Sequence, residues 1–284
     1  MAWNPIINPL QAGLKIGQAA QGQPFASSLC RFEDMITDEY LHICKAIGQK
    51  PVVHRKQWEF AYIYWKLLNN NMLSPGKKGL GFGVGSEPLP AAFVAMKCQI
   101  LATDAPCDAN DQGWALTGQH ASSLDALRKP ELVSDDEFTK LCDFMPLDMN
   151  DYESIPSDWQ FHWSSCVIEH LGGIQKAIDF LVQSSLRLAP GGIAVHTTEF
   201  NLSSNEDTID EPGACILRKC DLERLSEMLC SVGLSMEPLV LDPGSHAYNY
   251  HIDVPPYELY NHLRLELGNY VSTSLGIVIK RPWI

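Results

Sequence analysis

Gly79-Leu80-Gly81-Phe82-Gly83-Val84-Gly85-Ser86-Glu87 leads from a short apolar run into a helical pattern that carries Leu89, Phe93, Val94 and Met96. Glycines at a strand-to-helix turn let the backbone bend sharply and let a ligand come close. The helix N-terminus beneath such a turn offers free N–H groups to a polar or anionic partner. Nucleotide-like cofactors exploit both features, and the spacing sorts among them. A dinucleotide fingerprint G-x-G-x-x-G/A begun at Gly81 meets Ser86 where Gly or Ala is needed, and begun at Gly79 it meets Val84. Ser86-Glu87 stands where a P-loop would place its lysine. What remains is G-x-G-x-G, followed by the strand Gln99-Ile100-Leu101-Ala102-Thr103-Asp104. Its terminal acid falls roughly 20 residues past the glycines, where a carboxylate can accept bonds from a ribose diol.

Outward from this stretch, short apolar runs alternate with helical patterns, the signature of βα units and a mainly parallel sheet. Strands are expected near 78–84, 99–104, 141–146, 160–166, 192–198, 235–241 and 271–280, and helices over 87–97, 172–188 and 219–233. The segment 105–140 is long enough to carry one or two helices of its own. Upstream of the turn Ser74-Pro75-Gly76, residues 1–28 read as a mobile or surface-draped arm, and Phe32–Asn70 as a helical cap. The expected division is therefore 1–74 for arm and cap and 75–284 for the main domain, with an insertion at 242–268 on the substrate side.

A chain of 284 residues, 45% hydrophobic and 19% charged, can enclose one substantial core. The net charge of −13 argues against a phosphate-backbone partner. Nine scattered cysteines without a Cys-x-x-Cys pair read as reduced thiols rather than metal ligands, so no metal is expected. No signal-like N-terminus or bilayer-length apolar run is present, which gives the expectation of a soluble cytoplasmic protein.

From Gly79 to Ile279 the chain resembles class I S-adenosylmethionine (SAM)-dependent methyltransferases. The resemblance rests on the glycine loop, on Asp104, on Phe144-Met145-Pro146-Leu147-Asp148-Met149-Asn150, on Phe161-His162-Trp163-Ser164-Ser165-Cys166-Val167-Ile168-Glu169-His170-Leu171, and on Leu188-Ala189-Pro190-Gly191-Gly192-Ile193-Ala194-Val195. It implies a doubly wound, Rossmann-like α/β fold with a seven-stranded sheet, mostly parallel with an antiparallel last strand. It implies SAM as cofactor, with Gly81, Gly83 and Gly85 in the loop, Asp104 on the ribose, Asp148 and Met149 at the adenine, and Ser165 beside them. Two positions depart from the pattern: Gly79 replaces the acid that opens the first motif, leaving Glu87 as candidate for the methionine amino group, and His162 replaces an acid of the fourth.

Methyl transfer to a hydroxyl needs alignment and a base with a pKa near neutrality, for which histidine is suited. His170 and His196, expected just past adjacent strand ends, are the candidates, with Glu169 an alternative. Glu199, Asn201, Arg218 and Tyr257 are candidates for holding the acceptor, with Asp253 and His262 beside them. In the cap, His54-Arg55-Lys56-Gln57-Trp58-Glu59 could close over the cofactor, although a solvated helix face explains the same charges. A faint resemblance of His196–Asn205 and of the 242–268 lobe to bacterial glycan- and sugar-associated methyltransferases makes a sugar, glycan or other small molecule the expected acceptor. Three alternatives compete: a nucleic-acid amino-methyltransferase, suggested by Asp253-Val254-Pro255-Pro256-Tyr257 but interrupted by Val254; a nicotinamide-dependent oxidoreductase; and a non-catalytic SAM-fold binding protein.

Overall fold

The computed structural model describes residues 14–15, 19, 22–106, 121–258 and 260–283. In chain order it comprises β1 (Leu14–Lys15), α1 (Phe32–Met35), α2 (Asp38–Ala46), α3 (Arg55–Asn69), β2 (Lys78–Phe82), α4 (Leu89–Ala95), β3 (Gln99–Asp104), α5 (Asp135–Leu141), β4 (Cys142–Pro146) and β5 (Trp159–Ser165). Then follow α6 (Ile174–Ser185), β6 (Leu188–Asn201), β7 (Asp210–Glu211), β8 (Ala214–Cys215), α7 (Lys219–Ser231), β9 (Ser235–Met236), β10 (Leu239–Val240), β11 (Leu265–Leu267) and β12 (Tyr270–Lys280). The central sheet runs β11-β12-β6-β5-β2-β3-β4, with β9 also on β12. Strands β6, β5, β2, β3 and β4 are mutually parallel, and β12 is antiparallel to β6. This is a doubly wound, Rossmann-like α/β sheet, with one strand beyond the seven expected: β11, contributed by the 242–268 stretch.

The parallel strands are apolar on both faces because both are covered. On one face Phe161, Trp163 and Val195 meet α3 and α4 through Trp58, Tyr62 and Phe93. On the other Leu80, Phe82 and Ala194 meet α6 and α7 through Ile178, Phe180, Leu181 and Leu225. The cap lies directly on the sheet. A Cβ at Gly276 of β12 would stand 2.1 Å from Tyr62 Cε1, so the bare backbone there is the seat of α3.

The free side of β12 is covered piecewise. Leu265–Leu267 pairs with Tyr270–Ser272, Leu29 bridges Leu275, and Ser235–Met236 pairs with Ile279–Lys280. The arm is thereby more than a surface drape. Phe25 is 1% exposed and sits among Trp58, Tyr62 and Trp65 at ring separations of 5.9–6.2 Å, while β1 pairs with β10. Burial of an aromatic ring outweighs the weak periodicity that suggested mobility. Of the 105–140 segment, the described part holds a 3-10 turn, Leu124–Leu127, and α5; residues 107–120, Cys107 among them, lie outside the described residues. The other eight cysteines are free thiols. Among the described residues no helix is long and apolar enough to cross a membrane.

Candidate cofactor and active site

Past β2 the chain turns through Gly83 and Gly85, whose φ values are 56° and 51°. A Cβ at Gly81 would stand 2.3 Å from Trp163 Cζ2, and at Gly83 2.5 Å from Val167 Cγ2. The bare backbone therefore admits side chains of β5 and its following loop, as well as the left-handed turn. Asp104 closes β3 beside this loop. Its Oδ2 accepts from the N–H groups of Gly85 (3.1 Å) and Ala121 (2.9 Å), and its Oδ1 from Ala105 N–H (2.8 Å). The expected ribose acid is thus at the tip of its strand and against the glycine turn. Glu87 is 8% exposed and accepts from Trp163 Nε1 at 2.6 Å. Burial pushes its carboxyl up to about 8.

The first turn of α3 stands over the neighbouring strand ends, and its charges are paired there rather than forming a solvated face. His54 caps the helix, its Nδ1 accepting from Lys56 N–H at 3.0 Å. Lys56 Nζ donates to the Ser165 carbonyl (2.9 Å) and hydroxyl (3.3 Å) and lies 3.2 Å from Glu59 Oε2. Glu59, fully buried, accepts from the hydroxyls of Ser165 (3.1 Å) and Ser274 (2.5 Å). Although burial pushes its carboxyl upward, Lys56 and Arg55 hold it down to about 2. Arg55 pairs with Glu199, to which Ser272 also donates. Glu169, 2% exposed, is pushed up to about 8 by burial and then by the charge of Glu199. Four buried acids, Glu59, Glu87, Glu169 and Glu199, thus face two cations, Arg55 and Lys56, and a fifth, Asp104, lies close enough to Glu87 for their charges to interact. Donor atoms of Cys166, Glu169 and Glu199 lie within 4.8 Å of one another, although Glu199 is already matched by Arg55.

The other expected site residues divide sharply. His170 sits in a 3-10 turn past β5 with Nδ1 2.8 Å from the Gly213 carbonyl, and burial lowers its pKa. His196 is not past a strand end. Because β12 pairs with β6 as far as Asn201, His196 stays inside the sheet, 0% exposed, with Nδ1 2.7 Å from Ser164 Oγ. Asp148 makes a local turn, accepting from Asn150 N–H at 2.9 Å, and Met149 is buried in the α6-side core. Asn201 holds the following loop: Oδ1 accepts from Ser203 and Ser204 N–H (2.8 and 3.0 Å), and Nδ2 donates to Asp207 and Thr208. Arg218 precedes α7 and is forked on Asp221 at 2.8 and 3.1 Å. Both are used within their own loops. Tyr257 is 43% exposed, donates to the Glu266 carbonyl at 2.7 Å, and packs edge-on against His262. His162, at the second departure from the family pattern, is buried with neither ring nitrogen partnered.

Arg55, Lys56 and Glu59, which the sequence offered either for closing over a cofactor or as a solvated helix face, are brought against the strand-end residues Glu199 and Ser165. Gly79 stands where the resembled first motif opens on an acid. A side chain at that position has no room, since a Cβ would stand 2.2 Å from the Phe161 ring.

No family model matches the chain, and no curated protein matches it. Solved structures similar to it include the mitomycin 7-O-methyltransferase, at 13% identity and TM-score 0.41, with 80% of this chain and 57% of that one covered. A SAM-dependent methyltransferase from Clostridium acetobutylicum is similar at 12% identity and TM-score 0.45, covering 86% and 98%. A complex of DhpI with S-adenosylhomocysteine (SAH) is similar at 10% identity and TM-score 0.43, covering 86% and 93%. The chain spans little more than half of the first of these.

Proposed function

We propose that the chain is a SAM-dependent methyltransferase whose acceptor is a hydroxyl of a sugar, glycan or other small molecule. One observation carries the reading: a buried cluster in which acids outnumber cations, at the carboxyl ends of the strands, where open α/β sheets bind ligands. SAM carries a sulfonium and an ammonium beside one carboxylate, and such a cluster supports two positive charges. The donor set also fits by parts. Asp104 suits a ribose diol, Glu59 and Glu87 an ammonium, and Lys56 a carboxylate. Bound SAM would supply an electrophilic methyl, leaving the chain to align the acceptor and exclude water. Arg55 of α3 and Glu199 near the end of β6, paired with each other, are the groups we assign to the acceptor side. The net charge of −13 and the location of Asp253 in the lobe weigh against a nucleic-acid acceptor.

Calorimetry with SAM, SAH and NAD tests the cofactor, and SAM consumption across a panel of nucleotide sugars, glycans and small hydroxyl compounds tests the acceptor. Binding of SAM and SAH without NAD is expected. Binding of NAD alone, or of none of the three, sinks the reading.

A further inference from the structure

The lobe between β10 and β12 carries a second histidine arrangement. His262 and Asp253 form a close hydrogen bond through Nδ1 and Oδ2. Asp253 is 2% exposed and His262 8%. The Asp253 carboxylate also accepts from Glu258 N–H at 2.9 and 3.2 Å, which fixes its orientation. The His262 ring is held on two sides. His54 stacks on it at 4.7 Å and 19°, and Tyr257 meets it edge-on at 5.4 Å and 74°. The backbone of the same residue accepts from Arg55 N–H at 3.0 Å. This pins the lobe to the turn of α3 that supplies Arg55, Lys56 and Glu59. Among the described residues no group bonds Nε2 of His262.

From this geometry, and resting on the methyl-transfer reading above, we infer that His262 is the general base for the acceptor hydroxyl and that Asp253 is its positioning residue. With the ring proton held on Nδ1 by Asp253, Nε2 keeps a lone pair that can accept a proton. As the acceptor oxygen bonds to the methyl carbon, the carbon–sulfur bonding pair withdraws to sulfur. The hydroxyl proton passes to Nε2, and the imidazolium, stabilised by Asp253, returns it to water. The Nδ1 of His170 meets the Gly213 carbonyl at 2.8 Å, whereas that of His262 meets a carboxylate.

The test uses the whole chain labelled with 13C at histidine C2, with the His262 signal assigned by its loss in His262→Asn and His262→Gln. SAM and SAH complexes differ only by a charged methyl at the reacting centre. The His262 signal is therefore expected to differ between them, by more than that of His170. Calorimetry on the same samples records whether both ligands bind. Two bound complexes with an unchanged His262 signal overturn the inference. Failure of SAM to bind instead overturns the underlying methyl-transfer reading, and the dyad's role with it. With a hydroxyl acceptor from the panel, His262→Asn should lower kcat about 10²- to 10⁴-fold with SAM affinity unchanged, and Asp253→Asn should lower it less; an unaltered kcat in His262→Asn also overturns the inference.

Discussion

Glu87 and Glu169 are carboxyls whose ordinary state at neutral pH has been reversed by where they sit. Burial holds Glu87 up to about 8, and burial with the charge of Glu199 holds Glu169 there too. A cation entering the pocket favours their ionised forms, so cofactor binding near pH 7 should expel protons. The measurement is the binding heat in buffers of differing ionisation enthalpy, where a release of between zero and about two protons is expected from two such groups. Glu87→Gln keeps an acceptor for Trp163 Nε1 and should lower that number, whereas a heat independent of buffer in the parent protein would refute the charge argument. Asp104→Asn removes the charge and keeps an oxygen. Loss of one charge-assisted bond to ribose should weaken SAM by about 1.5–3 kcal/mol, or roughly 10- to 150-fold. Equal affinity would show that this acid serves the loop backbone and not the ribose.

At the scale of elements, α3 is the piece whose placement decides the site, and its seat is the bare backbone of β12. Gly276→Ala would drive a methyl into the Tyr62 ring, which is 1% exposed. Overpacking of this kind costs about 1–3 kcal/mol. The melting temperature should fall by several degrees, and SAM affinity should fall with it, since Lys56 and Glu59 ride on the same helix. A variant that melts lower yet binds SAM unchanged would separate the helix from the pocket. The β-α alternation was legible because parallel strands buried on both faces leave apolar runs between turn glycines, and β2, β3, β4, β5 and β12 fall where those runs do. Asp104 was legible for the same reason, being the last residue of such a run. The charges at 55, 56 and 59 were not, because helical spacing on one face usually signals water, and only the fold shows that face lying over strand ends. Nor was His196, since nothing local announces that β6 continues to Asn201; a partner 70 residues away in sequence, β12, extends it.

Across the whole molecule, buried groups with opposite shifts set the response to pH. His162 and His196 are pushed down to about 3, chiefly by burial. The unfolded chain binds these protons below about 6.5 while the folded one does not, so each costs about 1.4 kcal/mol per unit as pH falls through that window. Glu87 and Glu169 act in the reverse sense. The unfolded chain has released their protons above about 4.5, so stability falls as pH rises from there to about 8. The two pairs oppose each other between about 4.5 and 6.5, where stability should be nearly level. Above that range the histidine contribution has ended and the carboxyl one continues, giving a decline towards pH 8. Below it the histidines act unopposed, joined by Glu59, whose carboxyl is held down to about 2. Urea titrations at half-unit intervals check the shape. A stability rising steadily from pH 5 to 8 would contradict it, and saturating SAM should raise stability at every pH at which it binds, most on the alkaline limb.

The three short segments laid along β12 have a further effect on behaviour in crowded solution. A long bare strand is a template on which another molecule can add its own. Here the backbone of that rim is taken up in turn by Leu29, by Ser235–Met236 and by Leu265–Leu267. A neighbour would have to displace all three together to gain a foothold, so this flank of the molecule is guarded against fibril growth even as heat loosens any one of them.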